Sequence, residues 1–299
     1  MPGVLVRPTS VDTGLMLIAV VAISSSGPLI AATAAPALAI AFWRNGFSSG
    51  VLAPWALISR RRELAGASRR TLLTAAGAGA LLAVHFGTWV PSLSLTSVAS
   101  STALVTAQPV WAALLARASG HAVSRGVWVG IGASVVGAAL VAGVDVEVSS
   151  RAFAGDVLAL IGGCAGAFYV ALGGSARKRL STVSYTAICY SVCAVLLLMA
   201  CLIGGVRLAG YGANSWLKLL ALTAGAQLLG HSLLNVALRS TTATVVSLVV
   251  LAEVPGAALI AAVWLGQVPS ATAWPGFALL VLGAAVVVRC GVRSEQANP

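Results

Sequence analysis

The chain has 299 residues, 59% hydrophobic and only 8% charged, against about 25% charged in ordinary soluble domains. That balance excludes an apolar core wrapped in a solvated surface, and it places the chain among integral membrane proteins. The formal charge of +11 is no nucleic-acid signature, because the basic residues sit in short clusters between apolar runs, where they report topology.

A bilayer span needs about 20 apolar residues as helix. Ten candidate runs follow one another, at 13–33, 37–57, 72–92, 98–116, 127–143, 157–172, 185–203, 217–238, 245–265 and 274–288. They are continuous rather than alternating, which excludes a closed barrel. The expected fold class is an all-α integral membrane protein of ten transmembrane helices. The N-terminus lacks a basic region followed by a small-residue cleavage site, so no removable signal peptide is expected.

The first span carries a polar break, Ser24-Ser25-Ser26-Gly27-Pro28, and the second holds Arg44. The third has His85 and Trp89, the fourth Gln108-Pro109, the eighth His231 and Asn235, and the ninth Glu253 and Pro255. Gly126/Gly130 and Gly162/Gly166 form G-x-x-x-G pairs, spacings that let helices approach closely.

With the N-terminus in the cytoplasm, 14 of the 18 basic residues fall on the inside, including Arg60–Arg62, Arg69, Arg70 and Arg177–Arg179. The outside receives Arg151, Arg207 and Lys218, together with Asp145, Glu147 and Asp156. The positive-inside bias therefore predicts both termini in the cytoplasm.

The chain also repeats itself. Sliding Ala78–Val141 by 146 residues onto Ala224–Val287 needs no gap and matches 21 of 64 positions. His85 falls on His231, Pro109 on Pro255, Gly120 on Gly266, Trp128 on Trp274, Gly130 on Gly276 and Gly137 on Gly283. A repeat of five spans, an odd number, enters the membrane from opposite sides in its two copies. The expected units are 13–145 and 155–290, related by a pseudo-two-fold axis in the membrane plane. That is a transporter plan, with a substrate path near the midplane, although inverted repeats also build channels.

Arg44 and Glu253 are the formal charges expected deep in the spans. A charge there is costly, so it faces a cavity or a partner. One reading is a substrate site in which Arg44 holds a carboxylate and Glu253 an amine or a transported proton. The other is a structural ion pair, or Arg44 capping loop carbonyls. His85 and His231 titrate near neutral pH and are candidate proton relays, or neutral histidines bonded between helices. Pro28, Pro109 and Pro255 are expected to bend their helices, and such bends are tolerated where they line a cavity. Gln108, Asn235, Trp43, Trp89, Trp111 and Tyr169 are further candidates to line a path.

Signs of catalysis are weak. Gly46-Phe47-Ser48-Ser49-Gly50 matches G-x-S-x-G but lies inside an apolar run, without the strand-to-helix turn of a nucleophile elbow. No metal-binding spacing links the five cysteines, and there is no Walker sequence. No enzyme activity, cofactor or metal is expected.

Each repeat carries P-x-x-A-x-x-x-A-x-x-x-G in its fourth span and G-A-A near its end, within LSLTSVASSTALVTAQPVWAALLARASG and ALRSTTATVVSLVVLAEVPGAALIAAVWLGQ. On these motifs, and on Arg44 in AIAFWRNG, the chain resembles the EamA family of the drug/metabolite transporter superfamily. The resemblance implies ten helices, both termini inside, and export of small metabolites such as amino acids, driven by the proton gradient. The chain departs from the family in having His121 and Gln267 where glutamate is frequent, and in the Ser24–Pro28 break where tryptophan is common. The expected function is thus secondary export of a small metabolite, an amino acid or related zwitterion, by alternating access across a bacterial cytoplasmic membrane. The rivals are a lipid-carrier flippase and an uncoupled facilitator or channel. The expected partners are a small-molecule substrate and the bilayer, not nucleic acid, with the protein a monomer or homodimer.

Overall fold

A computed structural model describes residues 10–120, 122–230, 233 and 249–296. Among them every regular element is helical and there is no strand. In chain order these are α1 (Ser10–Ser24), α2 (Ser26–Ala31), α3 (Ala37–Ser59), α4 (Arg61–Gly66), α5 (Arg69–Ser92), α6 (Val98–Val105) and α7 (Gln108–Ala118). Then come α8 (Arg125–Val148), α9 (Ser150–Arg177), α10 (Thr182–Ile203), α11 (Ala213–Ala221) and a π-helical segment, Leu222–Gly230. The helices α12 (Glu253–Leu265) and α13 (Trp274–Gln296) end the chain, with a 3-10 turn, Ala271–Ala273, between them.

Among the described residues, seven stretches are long and apolar enough to cross a membrane: Thr13–Ala31, Arg69–Ser92, Val98–Ala118, Arg125–Ala142, Ser150–Arg177, Thr182–Ile203 and Ala271–Cys290. Of the other three expected spans, the second is α3, 23 residues long but carrying Arg44, Asn45 and Ser48. The eighth begins as α11 and the π-helical segment, and the ninth is represented by the 13 residues of α12. Large apolar side chains such as Ile58, Val129, Leu259 and Val263 face outward, as a lipid-embedded surface requires.

Local chemistry sets the ends. Ser68, Ser97, Ser149 and Ser181 each accept a hydrogen bond from the backbone N–H three residues on, which satisfies a donor that the first helical turn leaves open. Ser149 alone separates α8 from α9. Two corrections follow. Asp145 and Glu147 belong to α8, and Arg151 and Asp156 to α9, so both helices run past the expected span limits of 143 and 157. Asp156 is also only 1% exposed, a third charged residue inside the protein beside Arg44 and Glu253. The physical reason is that 144–154 contains neither Gly nor Pro to break a helix.

The fourth spans of the two repeats end alike. Gly120 and Gly266 adopt positive φ, 88° and 67°, the left-handed cap that glycine takes without strain.

Helix α8 packs along α13, α5 along α9, and α3 along α10. The α8–α13 contact is made by glycines and runs antiparallel. A Cβ on Gly130 would lie 2.7 Å from the Gly283 carbonyl oxygen, and one on Gly137 would lie 2.7 Å from that of Gly276. These two contacts interchange under the 146-residue shift. Between them the Ser134 hydroxyl donates to the Leu280 carbonyl at 3.3 Å, so a residue touches its own repeat counterpart. Both G-x-x-x-G pairs serve packing within the chain: Gly126 and Gly130 face α13, while Gly162 and Gly166 face His85, Trp89 and Gln108.

Candidate functional site

Three helix breaks meet in the interior. The first falls at Ser25, between α1 and α2, where Pro28 has no N–H for the Ser24 carbonyl. The second falls at Thr106–Ala107, between α6 and α7, with Pro109 in the first turn of α7. The third falls at Leu251–Ala252, just before α12, whose first turn contains Pro255. The prolines expected to bend continuous helices thus stand at the start of new ones, the position that tolerates a missing N–H. The Thr106 hydroxyl donates to the Thr102 and Ala103 carbonyls, at 2.8 and 3.0 Å. The breaks touch one another: Ser24 lies against Gly256, and Thr102 and Val98 lie against Gly27.

Arg44 projects from α3 beside these breaks and is 2% exposed. Its Nε donates to Gln227 Oε1 at 2.6 Å, and a terminal nitrogen reaches Ser26 Oγ at 3.5 Å. The guanidinium carbon sits 4.1 Å from the centre of the Phe86 ring and 5.8 Å from that of Trp89, a cation–π contact strengthened by desolvation. Gln227 Nε2 in turn donates to Asn45 Oδ1 at 3.2 Å, and Asn45 Nδ2 to the Ala41 carbonyl at 2.8 Å. Both ends of this chain fix the amides. A backbone carbonyl only accepts and a guanidinium only donates, so neither amide can be flipped without losing bonds.

Glu253 opens α12, is half-buried and interacts electrostatically with Arg44. The two are not within the 4.0 Å of an ion pair; the hydrogen-bond partners of Arg44 are neutral. The two opposite charges interact without a direct ion pair between them.

Around them lie three buried polar atoms without a hydrogen-bond partner among the described residues: Ser24 Oγ, Trp89 Nε1 and Thr102 Oγ1. Each is at most 4% exposed, and each such vacancy costs ~1–3 kcal/mol. Buried polar groups are nearly always satisfied, so three together set this region apart from the rest of the described interior.

His85 Nδ1 lies 2.8 Å from the Gly162 carbonyl oxygen, as expected for a histidine bonded between helices. Its ring faces Phe86 and Trp89. Gln108 is half-buried, and both it and His85 approach Gly166. Trp43 belongs elsewhere: its Nε1 donates to the Leu208 carbonyl at 2.8 Å, and its ring packs with Phe42, Phe47 and Trp216. Tyr169 stacks on Tyr185, and Trp111 is half-buried. His231, Asn235 and His121 lie outside the described residues. Gln227 and Asn45 were not among the residues singled out from sequence. The described residues contain no group of His, Cys, Asp and Glu able to hold a metal ion.

Hydrogen bonds tie the two repeats at both ends of the bundle. At the α4 end, Glu63 Oε1 accepts from the Ser181 backbone N–H at 2.5 Å. Partial burial pushes the Glu63 carboxyl up, but the Ser181 and Ser184 bonds and Arg60 outweigh it and hold its pKa below the ordinary value. At the opposite end Lys218 Nζ donates to the Ala32 carbonyl at 2.7 Å, and Gln267 Oε1 accepts from the Val98 N–H at 3.0 Å. Gln267 therefore caps α6 of the other repeat. A glutamate there would supply the same acceptor, so the departure from the family pattern keeps this bond.

Comparison with known proteins agrees with this architecture. The model of the EamA-like transporter family matches twice, over residues 13–143 and 153–289. No curated protein matches. Fourteen chains of solved structures do. One, titled "Crystal structure of protein", has a TM-score of 0.60 at 18% identity, over 93% of this chain and 97% of its own; at that identity it shows the fold alone. The double match spans almost the whole helical chain, and the protein is a multi-pass membrane protein of the EamA-like transporter family.

Proposed function

We propose that the protein is a secondary active transporter that exports a small zwitterion, an amino acid or a close relative, across the bacterial cytoplasmic membrane. The observation that carries this reading is the meeting of Arg44, Glu253 and three unsatisfied buried polar atoms at the helix breaks. Arg44 binds the carboxylate. Glu253 accepts the amine or, in the empty carrier, a proton, so that proton entry and substrate exit share one carboxylate. His85, Trp89 and Gln108 form one wall, and the 146-residue shift makes His231 and Asn235 the sequence counterparts of His85 and Trp89.

The two units, 13–145 and 155–290, are inverted copies in this reading, ten helices in all, with both termini cytoplasmic. The self-complementary antiparallel contact of α8 with α13 supports the inversion. Alternating access is then rocking of one unit against the other. The ties at the two ends break in turn: Glu63–Ser181 when the site opens inward, and Lys218–Ala32 and Gln267–Val98 when it opens outward. The unit of function is a monomer or homodimer.

The test is counterflow in proteoliposomes, with each of the twenty amino acids trapped inside and the labelled form outside. Saturable counterflow of at least one, with no lipid scrambling, is the expected result. Non-saturable flux, or lipid scrambling alone, contradicts it.

A further inference from the structure

We propose that Gln227 occupies, in this conformation, the seat of the substrate carboxylate on Arg44, which makes Gln227 a specificity-determining residue of the site. The inference rests on the reading of Arg44 as the carboxylate-binding group.

Three observations lead to it. First, the side chain that faces Arg44 is a carboxylate look-alike. The amide oxygen is planar and meets Nε at 2.6 Å, the contact a carboxylate makes when it grips a guanidinium. The second guanidinium contact, Ser26 at 3.5 Å, is at the outer limit of a hydrogen bond. Among the described residues the fork is therefore engaged well on one nitrogen, and a two-oxygen anion satisfies it better.

Second, the occupant is neutral. A glutamate in that position would cancel the Arg44 charge permanently. An amide covers the guanidinium, keeps it ordered through Asn45, and still yields to a full negative charge. The three unsatisfied atoms, Ser24 Oγ, Trp89 Nε1 and Thr102 Oγ1, are then donors or acceptors waiting for the rest of an incoming molecule.

Third, Gln227 rides on the π-helical segment Leu222–Gly230. Such segments are rare and concentrate at functional sites. Rewinding one residue into ordinary α-helix turns the side chains that follow by about 100°. A local change of winding thus withdraws Gln227 from Arg44 without moving α3.

The experiment labels Arg44 with phenylglyoxal and maps the adduct by peptide mass spectrometry, in the wild type, Gln227→Met and Gln227→Glu. Methionine keeps the length of the side chain and removes the acceptor; glutamate makes the cover permanent. Acetate, a bare carboxylate, and the twenty amino acids serve as protecting probes, with amino-acid amides as controls lacking the carboxylate. Labelling is expected to be faster than wild type in Gln227→Met and slower in Gln227→Glu. Protection by acetate should reach its midpoint at about 2- to 12-fold lower concentration in Gln227→Met, the equivalent of one ordinary hydrogen bond removed from the competitor.

Equal labelling of the wild type and Gln227→Met overturns the proposal, and so does protection by neither acetate nor any amino acid. Protection by acetate but by no amino acid keeps the seat and overturns the amino-acid reading instead. Should Gln227→Met fail to fold, Gln227→Glu carries the test alone, and labelling at or above the wild-type rate overturns the proposal.

Discussion

Gly137→Ala tests the helix pair on which the two repeats meet. The added Cβ would stand 2.5 Å from the Leu280 backbone nitrogen and 2.7 Å from the Gly276 carbonyl oxygen. The first distance is about 0.9 Å short of the 3.4 Å where ordinary contact begins. Both obstacles are backbone, so no rotamer relieves them and α8 must move away from α13. A gap of ~0.5–1 Å forfeits a quarter to a half of each dispersion contact along the seam, and overpacking of this kind costs ~1–3 kcal/mol. Alanine is the better helix former by ~0.5–1 kcal/mol, which offsets part of that. Gly132→Ala measures the offset by itself, because its Cβ meets nothing within 4 Å. Gly137→Ala should therefore be less stable than Gly132→Ala by about 1–3 kcal/mol, read from reversible unfolding in mixed micelles of increasing SDS fraction. Gly276→Ala spreads the same seam, so the double variant should cost less than the sum of its parts by more than ~0.5 kcal/mol. Equal stability of Gly137→Ala and Gly132→Ala would refute the close contact and the symmetric seam with it.

Further outcomes are expected elsewhere in the chain. Glu63→Gln should lower thermal stability at neutral pH. The depressed folded pKa of Glu63 contributes stability that is fully present above about pH 5 and is lost as pH falls below about 4, so the two unfolding curves should converge in acid. A constant difference at all pH values would show that the carboxylate charge is not the cause. Gln267→Leu removes the acceptor for Val98 and should cost ~0.5–1.5 kcal/mol, while Gln267→Glu restores it; equal loss in both variants contradicts the cap. Arg44→Lys keeps the charge but not the planar fork, and amino-acid counterflow should fall on the order of 10-fold or more. Retention of the wild-type rate would show that Arg44 does not grip a carboxylate.

Much of the scaffold was legible because lipid imposes long, continuous apolar runs and because the repeat aligns without gaps. Of the glycines matched at an offset of 146 residues, Gly130, Gly137, Gly276 and Gly283 form the α8–α13 contact, and Gly120 and Gly266 share a left-handed backbone conformation. The short joint at Ser149 was not legible. Hydropathy falls at 144–156, but nothing there forbids a helix, so the expected spans stop at 143 and restart at 157 although the helices nearly meet. The site was half legible. Arg44 and Glu253 stand out as charges in apolar surroundings. Gln227 does not, since it carries no formal charge and the search for buried charges passes over it. The comparison that isolates Glu253 against Ala107 also sets Gln227 against Leu81, and an unmatched polar residue in an otherwise repeating stretch was the available signal. The orphaned Ser24, Trp89 and Thr102 atoms have no signature in sequence, because satisfaction is a property of neighbours.

The central claim is that one carboxylate, Glu253, exchanges a proton for substrate beside Arg44. It is tested most directly by Glu253→Gln in proteoliposomes, comparing amino-acid uptake driven by a pH gradient with amino-acid counterflow at equal pH. The account predicts that gradient-driven uptake disappears while counterflow persists, because glutamine still lines the site but cannot carry a proton. Gradient-driven uptake at the wild-type rate in that variant would contradict it.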